Sequence, residues 1–250
     1  MRAQFLFLML TVTVLFSCGK ETEEFQTEDL SEYIPTQSGK YITYRIDSTI
    51  FTNFGANSVV RSYQEKHQVD AQISDNLGRP AYRVFRFIRD TNGTTAWQPS
   101  GSYFITPIDK TVEVVENNLR FLKLAGPIKE GNTWKGNRFL PTDPYGIFYE
   151  FSNDDAMMDW DFIYTNVGES KTLRGKNYAN TITVEQIRDS INVPLINSGA
   201  YGFINFSVDT YAKGIGLVQQ EIRMYEYQPP STPRPGFKGF GIRRTIIDHN

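Results

Sequence analysis

Polar and apolar residues alternate from residue 41 almost to the end of the chain. Ile42, Tyr44, Ile46, Ser48 and Ile50 fall on one face of an extended segment, and Thr43, Arg45, Asp47 and Thr49 on the other. That period of two predicts a half-buried strand. The pattern is cleanest over 59–73. There Ser62, Gln64, Lys66, Gln68, Asp70 and Gln72 make a wet face, and Val59, Tyr63, Val69, Ala71 and Ile73 lie opposite. A long strand with one wet face belongs to an antiparallel sheet. Further strands are expected at 82–89, 103–108, 111–115 and 119–124. Asn117-Asn118 between the last two predicts a tight hairpin. After a stretch punctuated by Gly126-Pro127 and Gly131–Gly136, strands are expected again at 162–167, 178–188 and 237–248.

A long hairpin is expected over 201–227, with Gly214 and Gly216 at its reversal, because glycine supplies the positive φ that tight turns need. Gly236 falls in a proline-rich loop and is expected to tolerate a side chain. The one helix expected is short, over 152–160, with Ser152 as N-cap. Together these elements predict a mainly β fold. It is a curved antiparallel sheet or incomplete β-barrel built from meanders and hairpins, with at most one or two short helices. The globular domain is expected over 38–250, with a junction near 126–146 where two halves would meet.

The N-terminus is of another kind. Arg2 is followed by an apolar run over 5–16, about 12 residues and well short of the roughly 20 needed to span a bilayer as a helix. Residues 1–17 therefore read as a secretory signal. Leu15-Phe16-Ser17-Cys18 resembles a bacterial lipobox, and Cys18 is the single cysteine of the chain. The resemblance implies that Cys18 is lipidated and becomes the first residue of the mature protein, which a membrane would then hold by its acyl chains. Residues 18–37 are expected to form a flexible tether. Its start, Gly19-Lys20-Glu21-Thr22-Glu23-Glu24, is similar to the export tags of surface-exposed Bacteroidota lipoproteins.

Charge and composition narrow the chemistry. Removing Arg2 with the leader leaves 25 basic against 28 acidic side chains, a net of −3. No clustered basic face calls for nucleic acid. Aromatic residues make up 14% of the chain, and in strands they pack a β core. The two histidines, His67 and His249, are far apart and leave no zinc-type site. His67 shares the apolar face of its strand with Arg61 and Glu65. This reads either as a satisfied polar patch near a sheet end or as a polar cluster inside a barrel mouth. Asp154, Asp155, Asp159 and Asp161 cluster but lack calcium-loop spacing, so no metal and no cofactor is expected. Asp47-Ser48-Thr49 and Asp189-Ser190-Ile191 look like O-glycosylation triplets. No catalytic motif is present.

The lipobox, the Gly131-x-x-Trp134 turn and the Tyr211-Ala212-Lys213-Gly214-Ile215-Gly216-Leu217-Val218 block resemble those of uncharacterised Bacteroidota lipoproteins. Their strand layout is similar to that of periplasmic lipoprotein-carrier folds. The resemblance implies a cell-envelope location, anchored to the outer membrane on its periplasmic face or at the cell surface. It brings no catalytic residues. The leading expectation is a non-enzymatic module that binds an envelope protein or joins an assembly. The alternative is a carrier of an acyl chain or other apolar ligand. A hydrolase ranks third. An open apolar cavity would favour the carrier, a filled core the binding module, and a cleft of convergent carboxylates the enzyme.

Overall fold

The computed structural model describes residues 28–146, 149, 151, 156–195 and 199–250. Twelve strands make one antiparallel sheet: β1 Tyr41–Thr52, β2 Asn57–Ser74, β3 Pro80–Asp90, β4 Gln98–Ile108, β5 Thr111–Glu116, β6 Leu119–Ala125, β7 Thr133–Lys135, β8 Asp161–Leu173, β9 Lys176–Ile191, β10 Gly202–Ala212, β11 Gly216–Gln228 and β12 Gly236–His249. Their order is β6-β5-β4-β3-β2-β1-β12-β11-β10-β9-β8-β7. Two six-strand meanders are thus joined where β1 pairs with β12. The sheet curls until its end strands, β6 and β7, face each other across one unsealed seam. The chain crosses that seam at 126–132.

Turn chemistry sets the registers. Asn117 and Asn118 both adopt positive φ, 52° and 63°, and link β5 to β6 in two residues. Paired positive φ is what a right-twisted two-residue hairpin needs. Arg174 and Gly175 do the same between β8 and β9. The β10–β11 reversal runs through Lys213–Ile215, with Gly214 at φ 74° and Gly216 at φ 116°. Gly236 departs from expectation. It opens β12 at φ 112°, and a Cβ there would lie 2.7 Å from the Phe54 carbonyl oxygen. The β1–β2 turn packs on it, and Phe237 N–H donates to the Gly55 carbonyl at 3.0 Å. Gly236 is therefore required where tolerance was expected.

Two other expectations are corrected. The packed structure begins ahead of residue 38. Leu30–Tyr33 form a 3-10 turn, capped by Asp29 Oδ1 accepting from Ser31 N–H at 2.9 Å. Residues three apart eclipse in such a turn. Leu30 and Tyr33 therefore face the same way and are both buried at one end of the barrel. Each large apolar side chain buried contributes about 1.5–3 kcal/mol, enough to hold so short a segment. The Gly214 N–H donates to the Glu32 carbonyl at 2.7 Å, and Lys213 Nζ reaches Glu28 (3.0 Å) and Glu32 (2.8 Å). Of the expected helix over 152–160, residues 152–155 lie outside the described residues. Met157–Asp159 form a single 3-10 turn.

Four hydrogen bonds among the described residues tie the seam. Leu122 N–H donates to the Gly136 carbonyl at 2.7 Å, and Trp134 Nε1–H to the Leu122 carbonyl at 2.9 Å. The Tyr164 hydroxyl donates to the Ala125 carbonyl (3.0 Å) and accepts from its N–H (3.2 Å). β8, next to the short β7, carries three register shifts against β9. Bulges of this kind twist an edge away from unwanted pairing.

Candidate functional site

A belt of charged and polar side chains crosses the barrel interior. Register builds it. Ile46 of β1 pairs with Arg244 of β12, Arg244 with Gln220 of β11, and Gln220 with Asp209 of β10. All four therefore share one level and one face, with apolar layers above and below: Ile246, Val218 and Tyr211 on one side, Ile242 and Ile222 on the other. On β2, Glu65 and His67 bring the belt around the wall, opposite Arg86 of β3.

Asp209 is the hub on one side. Its side chain is 1% exposed and accepts from Gln186 Nε2 (2.7 Å), Gln220 Nε2 (2.7 Å), Lys123 Nζ (3.1 Å) and Tyr211 O–H (3.3 Å). Lys123 comes from seam strand β6, so this ion pair reaches across the lumen. Glu65 is the hub on the other side, with Arg244 Nε at 3.2 Å and His67 Nε2 at 2.9 Å. Burial alone would raise the Glu65 carboxyl. Arg244 and His67 outweigh it and hold the group well below the usual carboxylate range. Burial would likewise lower Arg244, and Glu65 with Glu116 more than offsets it. His67 Nε2 lies against Glu65, and its other ring nitrogen, Nδ1, lies 3.1 Å from the Tyr103 hydroxyl. The ring is held edge-on by Tyr44 and Tyr103, with centroids at 5.0 and 5.3 Å. Arg86 pairs with Glu116. Three cations, Arg86, Lys123 and Arg244, thus balance Glu65, Glu116 and Asp209.

Two cavities flank the belt, and Glu116, Lys123, Gln220 and Arg244 border both. The first holds about 90 Å³ beneath Tyr33, Ile34 and Pro35. The second holds about 160 Å³ between the belt and Tyr145, Tyr149, Met157 and Phe240. Tyr149 stacks on Phe240 with centroids 4.1 Å apart, and both line that end. A third space, an open groove of about 560 Å³, lies outside between Asp143, Phe151, Thr232, Arg234 and Lys238.

Of the residues singled out in the sequence, His67 and Glu65 meet inside the barrel, at the belt and away from the sheet end. Arg61, on the same face, is exposed near the strand end. His249 lies at the end of β12, 6.4 Å from the Tyr178 ring. Asp161 pairs with Lys135 at the surface at 3.0 Å. Among the described residues no group of three or more His, Cys, Asp and Glu is placed to hold a metal. Asp154, Asp155 and Cys18 lie outside the described residues. Ser48 faces inward and meets the Tyr63 hydroxyl at 3.1 Å, while Ser190 is exposed. The sequence reading missed Asp209, Gln220 and Arg244. Their signal was there: each is polar at the parity of buried neighbours such as Val218 and Ile246.

No protein-family model matches the chain, and no curated protein does. Solved structures similar to it include the following two. One is an exported protein of Bacteroides fragilis with a YmcC-like fold, 11% identical, aligned over 86% of this chain and 99% of its own with a TM-score of 0.38. The other is LprF from Mycobacterium bovis, 10% identical, aligned over 83% and 85% with a TM-score of 0.21.

Proposed function

We propose that this chain is a non-enzymatic module of the bacterial cell envelope, held at the outer membrane by lipid on Cys18, whose barrel serves as a rigid scaffold for binding a partner protein. The observation that carries this reading is the filled lumen. The belt crosses it, the 3-10 turn Leu30–Tyr33 packs at one end, and Tyr149 stacks on Phe240 toward the other. The interior spaces, about 90 and 160 Å³, fall below the roughly 300–1,000 Å³ of sites for drug-sized ligands. An acyl-chain carrier would need a longer continuous cavity. The buried carboxylates of Glu65, Glu113 and Asp209 are committed to ion pairs, which supports a structural role over acid–base chemistry. The sequence features that support the anchor are the short apolar run and Cys18.

The test is native mass spectrometry of the full chain purified in detergent from its host membranes, with chemical cross-linking in parallel. The expected species begins at an acylated Cys18, retains no further acyl-chain ligand and cross-links to a protein partner. Cys18→Ala should release the chain from the membrane fraction. A stoichiometric non-covalent lipid would overturn the scaffold and restore the carrier.

A further inference from the structure

We infer that the edge of β2 over residues 57–62 takes an added strand, supplied by an extended segment of a partner protein that sets a carboxylate opposite Arg61. The registers leave this edge free. β2 pairs with β1 from Asn57↔Thr52 onward, but its ladder with β3 starts only at Tyr63↔Asp90. Residues 57–62 therefore have a strand on one side and, among the described residues, none on the other. Along such an edge every other residue turns its N–H and C=O outward. Proteins usually blunt an edge with a bulge, proline or charge. Here the register with β1 is unbroken, proline is absent and Arg61 is the one charge. Val59 and Val60 are 40% and 60% exposed.

The arm that carries the edge is braced. Phe51 stacks on Phe237 with centroids 5.5 Å apart, and the Phe237 N–H bond to the Gly55 carbonyl holds the turn. β12 thus supports the hairpin from the β1 side, so a docking strand does not have to order it.

Three kinds of occupant compete for this edge, and its chemistry separates them. A lipid surface covers Val59 and Val60 but offers no partner to outward amides, which is why open sheet edges do not face lipid. A second copy pairing the same edge bonds the amides. Residues 57–62 contain no acidic side chain, however, so it would cover Arg61 without a counter-charge. Arg61 is exposed and has no ion-pair partner among the described residues. A foreign strand meets every requirement. Its backbone completes the ladder, apolar side chains lie opposite Val59 and Val60, and Asp or Glu lies opposite Arg61, where unlike charges attract. In strand addition the main chain supplies affinity and such side-chain matches supply selectivity. The added strand presupposes the partner protein of the scaffold reading and fixes where and how it binds.

The test places a photo-crosslinking amino acid at Val60 of the full chain in its host membranes and, as a control, at Leu77, which is 68% exposed in the β2–β3 turn at the opposite end of the barrel. Mass spectrometry of the digested adducts maps the contacts. Val60 should join one short stretch of one protein, and Leu77 should not. Arg61→Glu should weaken that complex about fivefold and Arg61→Lys should preserve it, with melting temperature unchanged in both. In the purified complex, amide hydrogen exchange over 57–62 should slow, which contact between side chains alone would not produce. A Val60 adduct with a second copy or with lipid alone overturns the proposal. So does a complex that Arg61→Glu leaves unaltered, or one in which these amides exchange at the free rate. If Leu77 captures a protein and Val60 none, the strand site falls and the scaffold reading stands. If neither this pair nor general cross-linking of the chain captures a protein, both fall.

Discussion

Replacing Asp209 with alanine removes the acceptor on which four donors converge. The most expensive consequence is at Lys123, whose ammonium stands inside the barrel with Asp209 Oδ2 at 3.1 Å. Removing one partner of a buried pair leaves the other charge uncompensated, which typically costs about 3–5 kcal/mol. Gln186, Gln220 and Tyr211 lose an acceptor as well. At about 2–4 °C per kcal/mol for a domain of this size, Asp209→Ala should lower the melting temperature by about 6–20 °C. Scanning calorimetry measures this directly. Asp209→Asn keeps an acceptor oxygen and should fall between. Asp209→Ala combined with Lys123→Met removes both charges and should recover part of the loss, since the stranded ammonium is then gone. A drop of less than about 2 °C for Asp209→Ala, or a double variant no better than the single, would refute the claim that the pair is buried and matched.

Three further outcomes are expected. Glu65 is held below its ordinary value of 4.5, so its contribution is present above that pH and is lost as the solution is made more acid; melting temperature should fall steadily below about pH 4.5, and more shallowly in Glu65→Gln. An equal slope in both proteins would show that Arg244 and His67 do not stabilise the carboxylate. Tyr164→Phe deletes both bonds to Ala125 across the seam and should cost about 1–3 kcal/mol, with faster hydrogen exchange at the Ala125 amide and little change at Ile246. Gly214 has open space around its missing side chain, so Gly214→Val should cost only the backbone strain of about 1–3 kcal/mol; Gly236→Val adds a clash with Phe54 and should be worse in urea unfolding.

The strands were legible because their residues obey a period of two over long runs, as Ser62 to Gln72 do against Val69 and Ile73. The Asn117-Asn118 hairpin was legible because few residues other than asparagine and glycine accept paired positive φ. β7 was not: Thr133-Trp134-Lys135 is three residues between turn-formers, and its pairing with Ile163 and Phe162 is a long-range fact. The same holds for the tether, where a sparse pair, Leu30 and Tyr33, becomes structure only because a barrel end waits for it. Gly236 looked like loop because proline dominates its surroundings, while its requirement is set by Phe54, about 180 residues earlier in the chain. Half of the belt was legible in Glu65 and His67. The other half needed the register that sets Arg244 beside Gln220 and Gln220 beside Asp209.

The pairing of β1 with β12 has a topological consequence. The two ends of the described fold meet in the middle of the sheet, where Asn250 N–H reaches the Tyr41 carbonyl at 3.4 Å, while the middle of the chain forms the sheet's two margins. The molecule is a twelve-strand meander cut open at its centre and left unjoined at its rims. A circular permutant that links residue 250 to residue 28 through a short spacer and opens the chain near 129 would make every neighbouring strand consecutive. In the natural order, β1 waits for its second neighbour until the last strand has been synthesised, and the closure must span some 200 residues of chain. The permutant should therefore reach the same fold faster, by replacing one distant closure with a local connection.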